Sequence, residues 1–371
     1  MINIKTIAIF SAYYHPHLGG IERYIDNLMR EFINLGNKVI LVTTNYQNVE
    51  SEIDYKGIHI IKLPVYNFWK NRYPFPIINK EEKQLMSKLD DYNIDAIIVN
   101  TRFHLTSHIG AKYGKEHDIP VYLIEHGSAY VTMNNKFLDF VANRYENYLT
   151  WRIKNKVTGW YGVSNACCEW LKELKIDADG VWYNSIDTKQ KLPKKTKHEG
   201  INFLYAGRII KQKGVENILI SFINLSKKYD NIKLYIAGDG EELESYKEKY
   251  SQENIHYLGK LSYDELVKYY AKSDVFLYPS LHPEGLPTSI LEAGLMDCAI
   301  IGTTCGGSKE VLKNDNSVIV ETTQKSLERG MQELIDNPKK RDNIKKNMKK
   351  NIISNFSWEN TAKKVLKDIG L

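Results

Sequence analysis

The 371-residue chain has no apolar run near the roughly 20 residues that a bilayer-crossing helix requires, which argues against an integral helical membrane protein. Its four cysteines (Cys167, Cys168, Cys298 and Cys305) have neither metal-ligand spacing nor the pattern of a secreted disulfide framework, so a reducing, cytoplasmic location is expected. No low-complexity tract or fixed-period repeat interrupts the chain, so disorder and solenoid architectures are not expected. The first segment, MINIKTIAIFSAYYHPHLGG, lacks a basic leader and a cleavage-like site and reads as a first core strand. Net charge is only +6, and no nucleic-acid module accompanies it. The excess sits in residues 1–198, with 26 Lys+Arg against 21 Asp+Glu, while the remainder carries 25 against 24. Nucleic acid is therefore not expected as a partner, and the inner face of a cell membrane stays open as one.

What is present fits a soluble enzyme. Hydrophobic residues make up 43% and charged residues 26%. The length is natural for two domains, each with its own core, and two domains commonly leave a cleft. Short β-rich runs alternate with helix-period segments from the start. Thr6–Ala12, Val39–Thr44, Ala96–Asn100, Val121–Glu125 and Thr158–Val163 read as strands, an alternation that predicts parallel sheets. Ile21, Ile25, Leu28, Met29, Phe32 and Leu35 recur at helical spacing, with Gly36 as the stop. The stretch KQKLPKKTK (189–197) combines proline with charge and lacks periodicity, so the interdomain linker is expected at 189–198. Its lysines read as solvated. Beyond it, INFLYAGR, IKLYIAGDG, DVFLYP, CAIIGT and Val318–Glu321 repeat the alternation, so the expected fold class is α/β, with two Rossmann-like domains (1–188 and 199–356).

The stretch richest in chemistry is His282–Gly294, HPEGLPTSILEAG. Pro287 suits the first turn of a helix, which puts Glu284 just ahead of that helix and Glu292 inside it. A helix start reached through Gly285, Leu286, Pro287 and Thr288 offers free N–H groups to an anion, and a carboxylate on each side can accept from hydroxyls. The layout suits a phosphate flanked by two polyols. In AGRIIKQKG a strand runs into a loop bearing Arg208 and Lys213, two cations able to converge on a diphosphate. Gly19 and Gly20 follow the first strand and open the first helix, where the backbone can approach a ligand closely; a bare tight turn reads equally well. His126 follows the strand Val121–Glu125 and is a candidate by that position, whereas His15, His104 and His108 are not. Gly238-Asp239-Gly240 ends another strand, as a tight turn or a ligand contact. No Asp-x-Asp pair follows a strand and no His/Cys cluster occurs, so no metal is expected.

Two glutamates seven residues apart, the first followed by Gly-Leu-Pro and the second by Ala-Gly, resemble the signature of retaining glycosyltransferase family 4, the group 1 glycosyl transferases. Elements similar to that family's occur in order along most of the chain: a Gly-Gly turn, a mid-chain His, Gly-Arg…Lys-Gly, Gly-Asp-Gly and Gly306-Gly307…Glu310. The resemblance implies the GT-B fold, two Rossmann-like domains facing across a cleft, with the helix 357–371 returning to the N-terminal domain. It implies transfer of a hexose-type sugar from a nucleoside-diphosphate sugar, as UDP- or GDP-sugar, to a glycan or lipid-linked acceptor in surface polysaccharide or glycolipid synthesis, with retention and without a cofactor. Under it, His126 and Glu284 serve the reacting sugar, Arg208 and Lys213 the diphosphate, Glu292 the ribose, Gly19 and Gly20 the phosphates or sugar, and Gly238 and Asp239 the base. Gly306, Gly307 and Glu310 match a helix start near the nucleotide. A sugar-nucleotide 2-epimerase of the same fold and a non-catalytic sugar-nucleotide binding protein are the alternatives. The segment VYNFWKNRYPFPII (65–78) interleaves Tyr66, Phe68, Trp69, Tyr73 and Phe75 with Lys70 and Arg72. That segment and FLDFVANRYENYLTWRIKNK (137–156) each read as peripheral membrane contacts or as packed aromatic elements.

Overall fold

The computed structural model describes residues 4–16, 19–68, 73–131 and 135–371. Trp69, Lys70 and Arg72 of the first aromatic segment lie outside the described residues, as do the side chains of Phe68 and Tyr73. The chain packs as two compact units, Met1–Tyr183 with Trp358–Leu371, and Asn184–Ser357. The boundary falls between Tyr183 and Asn184, ahead of the proline- and lysine-rich stretch expected as a linker. That stretch belongs to the second unit, where the Lys195 ammonium donates to the Tyr270 and Ser273 carbonyls and the Thr196 amide to Ala271.

The first unit is built from strands β1 (Thr6–Phe10), β2 (Lys38–Thr44), β3 (Glu52–Tyr55), β4 (Ile58–Leu63), β5 (Val65–Phe68), β6 (Tyr73–Pro76), β7 (Ala96–Asn100), β8 (Val121–Glu125), β9 (Gly159–Gly162) and β10 (Gly180–Val181). Its helices are α1 (Gly20–Asn34), α2 (Lys80–Ser87), α3 (Leu105–Glu116), α4 (Lys136–Lys154) and α5 (Asn165–Glu173). Among the described residues its main sheet runs β10-β9-β8-β7-β1-β2-β4-β3, parallel except for the β3–β4 pair, and β5–β6 form a separate antiparallel ribbon. Alternate residues of β1 pack on opposite sides, Ile7 and Ile9 against α1 and its neighbours, Ala8 and Phe10 into a second cluster. A strand covered on both faces must be apolar throughout, which is why TIAIF does not alternate with polar residues. The last helix of the chain, Trp358–Asp368, closes one face of this unit. Trp358 packs edge-on to Tyr24, and the Trp182 indole donates to Asp368 at 2.9 Å.

The second unit contains β11 (Ile201–Ala206), β12 (Ile232–Ala237), β13 (Ile255–Gly259), β14 (Val275–Tyr278), β15 (Ala299–Gly302) and β16 (Val318–Ile319), with α6 (Val215–Ser226), α7 (Leu243–Lys249), α8 (Tyr263–Lys272), α9 (Thr288–Leu295), α10 (Ser308–Val311), α11 (Gln324–Asp336) and α12 (Pro338–Asn355). The helix Trp358–Asp368 of the first unit is α13. The second sheet is wholly parallel in the order β13-β12-β11-β14-β15-β16. Chain direction through each sheet reverses once, beside β1 in the first unit and beside β11 in the second. At such a switch point the loops leaving two adjacent strands diverge over opposite faces and open a crevice at the carboxyl edge. Residues following β1 and β7, and those following β11 and β14, are therefore where ligand chemistry belongs.

Candidate active site

In the second unit the loops at the switch point hold together by backbone contact. Gly238 adopts φ +141°, and a Cβ there would lie 1.8 Å from the Gly207 carbonyl oxygen, so the Gly238–Gly240 turn rests directly on the Arg208 loop. The Ile209 amide donates to Asp239 O at 2.9 Å, completing that join, and the Asp239 carboxylate accepts from the Gly240 amide. Gly306, at φ +64°, leaves no room for a Cβ, which would stand 2.3 Å from the Glu284 carbonyl; the Gly307 amide donates to the same oxygen at 2.8 Å. Only glycine combines this left-handed conformation with such close approach. The Gly306-Gly307 pair, expected near a nucleotide, thus braces Glu284, Gly285 and Leu286.

Those contacts deliver Glu284 to a set of polar partners. Its Oε1 accepts from Ser280 Oγ at 2.9 Å and is ion-paired with Lys213, whose loop is tied to the Glu284 loop by Leu281 N donating to Gln212 O. Burial raises the Glu284 pKa, but the Lys213 ammonium and the hydrogen bonds outweigh it, so the carboxyl titrates below its ordinary range and stays ionised. The same charge, after burial, pushes the Tyr205 and Tyr278 hydroxyls up, keeping both neutral. Ser280 is itself fixed by Thr303, whose hydroxyl donates to Ser280 O. The two cations stand differently: Lys213 is engaged with Glu284, while Arg208 is exposed and its guanidinium makes no hydrogen bond or ion pair with a described residue.

Helix α9 begins at Thr288, so Pro287 is the residue capping the helix and not its first turn; its ψ of 111° is extended. Thr288 is exposed at that start, and Leu286 and Pro287 are buried beneath it. Glu292 lies one turn in, where its Oε2 accepts from the Tyr270 hydroxyl at 3.0 Å. Tyr270 is fully buried, and that burial followed by the Glu292 charge raises its pKa far above normal, which makes it a fixed donor.

In the first unit, Gly19 caps α1 and its amide is taken by the Glu22 carboxylate at 2.8 Å. Helix α1 starts at Gly20, one residue before the apolar pattern begins, and a Cβ on Gly20 would meet nothing described within 4 Å. Among the described residues no packing demand explains that glycine. His126 leaves β8 and packs edge-on against Tyr24 of α1, and its Nε2 lies 3.0 Å from Asn100 Oδ1. Since the Asn100 amide nitrogen donates to Phe10 O, Oδ1 must accept, which assigns the proton to Nε2 and leaves Nδ1 as an acceptor. Desolvation, with a smaller contribution from His104, lowers the His126 pKa to about 3, so the ring is neutral at ordinary pH.

The His126 loop hangs on a buried charge cluster with no sequence motif. Arg102, 1% exposed, donates to Glu125 at 2.9 Å and to Glu146 of α4 at 2.6 Å. The other Glu125 oxygen accepts from the amides of His126 and Gly127, and the other Glu146 oxygen from Val131. Between Asn100 and Arg102, Thr101 stands at φ +69°, an unusual conformation for a β-branched residue that costs about 1–3 kcal/mol. Strain of that kind, beside a neutral histidine at the carboxyl edge of a parallel sheet, marks a constrained site. Sequence reasoning missed Asn100, Arg102, Glu125 and Glu146 here, and Ser280, Tyr278 and Tyr270 in the second unit. Only their positions at strand ends, or on the helix behind, could have signalled them. Among the described residues no group of three or more His, Cys, Asp or Glu could hold a metal ion, and no helix is long and apolar enough to cross a membrane.

Replacing Arg102 by Met strands two buried carboxylates, one of which burial already raises in pKa beside Arg102. We expect a loss of about 3–5 kcal/mol in chemical denaturation; a loss below about 1 kcal/mol would mean the carboxylates find other partners. Three histidines of this unit titrate low through burial, His104 and His108 near 4 and His126 near 3. The unfolded chain binds their protons below the ordinary value near 6.5 while the folded chain refuses them. Stability from these groups is therefore complete above pH 6.5 and falls as pH drops toward 4, measured as a declining melting temperature that His126→Asn makes shallower.

Comparison with known proteins identifies the family and the fold. Residues 187–351 match the family model for glycosyl transferases group 1, and residues 18–190 that for glycosyltransferase family 4. An uncharacterized glycosyltransferase of Methanocaldococcus jannaschii is 27% identical, over 99% of this chain and 98% of its own length. A human phosphatidylinositol N-acetylglucosaminyltransferase chain is 24% identical, over 98% of this chain and 75% of its own. Among solved structures, Anabaena HepE in complex with UDP superposes with a TM-score of 0.75 at 14% identity, covering 99% of this chain and 100% of that one; the same protein was also solved with UDP-glucose, TM-score 0.72. The chain belongs to the family 4, group 1 glycosyltransferases and has the GT-B fold.

Proposed function

We propose that this enzyme transfers a hexose-type sugar from a nucleoside-diphosphate sugar to a glycan or lipid-linked acceptor with retention of anomeric configuration. The observation that carries this reading is the ionised Glu284 held by Ser280 and Lys213 at the mouth of α9, with Glu292 fixed by Tyr270 one turn further in. Two carboxylates restrained in this way suit recognition of hydroxyls on two polyols, and the free amides at the α9 start suit the phosphates between them. Relatives and neighbours support the same chemistry: one acts on a phosphatidylinositol, another was solved with UDP-glucose.

In this reading the bond between the anomeric carbon and the diphosphate oxygen breaks, and its electron pair leaves with the diphosphate. The acceptor oxygen bonds to the anomeric carbon on the same face, and a phosphate oxygen takes the acceptor's proton. Exposed Arg208, Lys213 and the α9 start meet the charge that grows on the leaving group, without a metal. Lys213 is shared between Glu284 and the phosphates, so donor binding redistributes an existing ion pair and avoids burying a new charge. Glu284 orients donor-sugar hydroxyls and Glu292 the ribose. His126, neutral with Nδ1 free to accept, takes a sugar hydroxyl, and Gly20 permits close backbone approach. Gly238 and Asp239 border the base.

Incubation with a panel of labelled nucleotide sugars is expected to release nucleoside diphosphate from one donor class, with the rate unchanged by a chelator. Epimerisation or binding alone releases none, so silence across every donor overturns the proposal. With the productive donor, Glu284→Ala should lower kcat about a hundredfold or more, and Glu292→Ala should chiefly weaken donor binding, by about tenfold. Unchanged kinetics in both variants would remove these glutamates from the site. Gly20→Ala meets no described atom and should keep folding stability within about 1 kcal/mol of the parent while kcat/KM falls; an unaltered kcat/KM would show that no ligand comes near.

A further inference from the structure

Helix α4 carries its polarity inverted. Its inward side holds Glu146, Leu149, Thr150 and Ile153, all buried, with Glu146 closing the Arg102 cluster. Its outward side holds Phe137, Phe140, Val141, Tyr148 and Trp151, exposed by 73%, 64%, 50%, 51% and 72%. With 3.6 residues per turn these five fall on one stripe along a 19-residue helix, roughly 28 Å long. A helix of a protein that meets only water turns its apolar stripe inward, so a row of exposed aromatics of this length marks a contact surface. Arg144 and Arg152 fall within the same stripe, with Arg152 set 5.8 Å over the Tyr148 ring, and exposed Lys136 and Lys154 flank it.

We propose that the outward face of α4 docks this protein onto an anionic lipid surface. Charge argues for that occupant. Four exposed cations accompany the stripe, and apart from buried Glu146 the helix bears one carboxylate, Asp139. Side-chain chemistry argues for it as well: tryptophan and tyrosine favour the headgroup level, phenylalanine and valine the acyl boundary just below, and arginine stems lie along apolar surface while their heads reach phosphate. A second copy of the chain fits less well, because twofold pairing of this face would bring its four cations against the same four of the other copy with only Asp139 on each to answer them. The inference goes beyond sugar transfer and is read without any donor. It bears on the acceptor, since a protein held at a bilayer meets lipid-linked substrates in the plane of the membrane.

Co-sedimentation with vesicles tests it. The protein should bind vesicles of mixed phosphatidylcholine and phosphatidylglycerol and not phosphatidylcholine alone. Phe140→Ser with Trp151→Ser should lower the bound fraction at least about tenfold, as should Arg144→Gln with Arg152→Gln, while donor hydrolysis stays at the parent rate in both. Lys346→Gln with Lys350→Gln removes exposed charge from α12 and should leave vesicle binding unchanged, which separates a docking face from bulk basicity. Quenching of tryptophan fluorescence by bromine-labelled acyl chains should fall in Trp151→Phe. Failure of the parent protein to bind mixed vesicles, or parent-like binding by the α4 variants, overturns the proposal. So does a doubling of mass in sedimentation velocity that Phe140→Ser with Trp151→Ser abolishes, without vesicle binding, which assigns the face to a second copy. Failed vesicle binding with intact donor turnover removes only this inference and leaves the sugar-transfer reading standing.

Discussion

Parallel strand pairing is the constraint on which the rest of this molecule depends. Parallel neighbours cannot be joined by a tight turn, so each strand must be followed by a crossover, and the crossovers cover both faces of the sheet. Every loop that follows one of the parallel strands then emerges on the same edge. In the second unit the reversal beside β11 brings Lys213 and Glu284, 71 residues apart in sequence, into an ion pair. In the first unit the same rule sets Asn100 at the end of β7 beside His126 at the end of β8, 26 residues away. Neither pair arises from local structure.

The two units manage charge in contrasting ways. In the second unit the charges stand near solvent: Lys213 holds Glu284 ionised, and Arg208 is exposed. In the first unit the charges are sealed. Arg102 is bonded by two carboxylates that in turn accept three backbone amides of the segment from His126 to Val131. Removing charges this completely from water is tolerable only when almost every lone pair and proton is satisfied. What the arrangement achieves is geometry: it holds a strained threonine and a neutral histidine where a flexible loop would leave both undefined.

Legibility in the sequence followed the range of the interactions. The α/β alternation was readable because a strand buried on both faces must be continuously apolar, and a covering helix must repeat its apolar residues every three or four positions. HPEGLPTSILEAG was readable because one loop and one helix carry Glu284 and Glu292 together. The role of Gly306-Gly307 was not, since their contact is with the Glu284 backbone across the sheet edge. Ser280 and Tyr270 were invisible for a similar reason: each is an ordinary residue until the fold points its hydroxyl at a carboxylate. Helix α4 was left open in another way. Its aromatics read as packed or as membrane-facing residues, and only the structure turns Glu146 inward and Phe140 and Trp151 outward.

By itself, then, the sequence determined two parallel α/β units, the helix beginning near Thr288, the pair of glutamates around it and the cations after β11, because each is a property of neighbouring residues and backbone preference. Tertiary structure alone decided that Lys213 is already paired while Arg208 is open, that His126 is neutral and oriented by Asn100, that Arg102 anchors its loop, and which face of α4 meets the surroundings. Burial and pairing across strands govern those outcomes, and both depend on how remote segments meet in space.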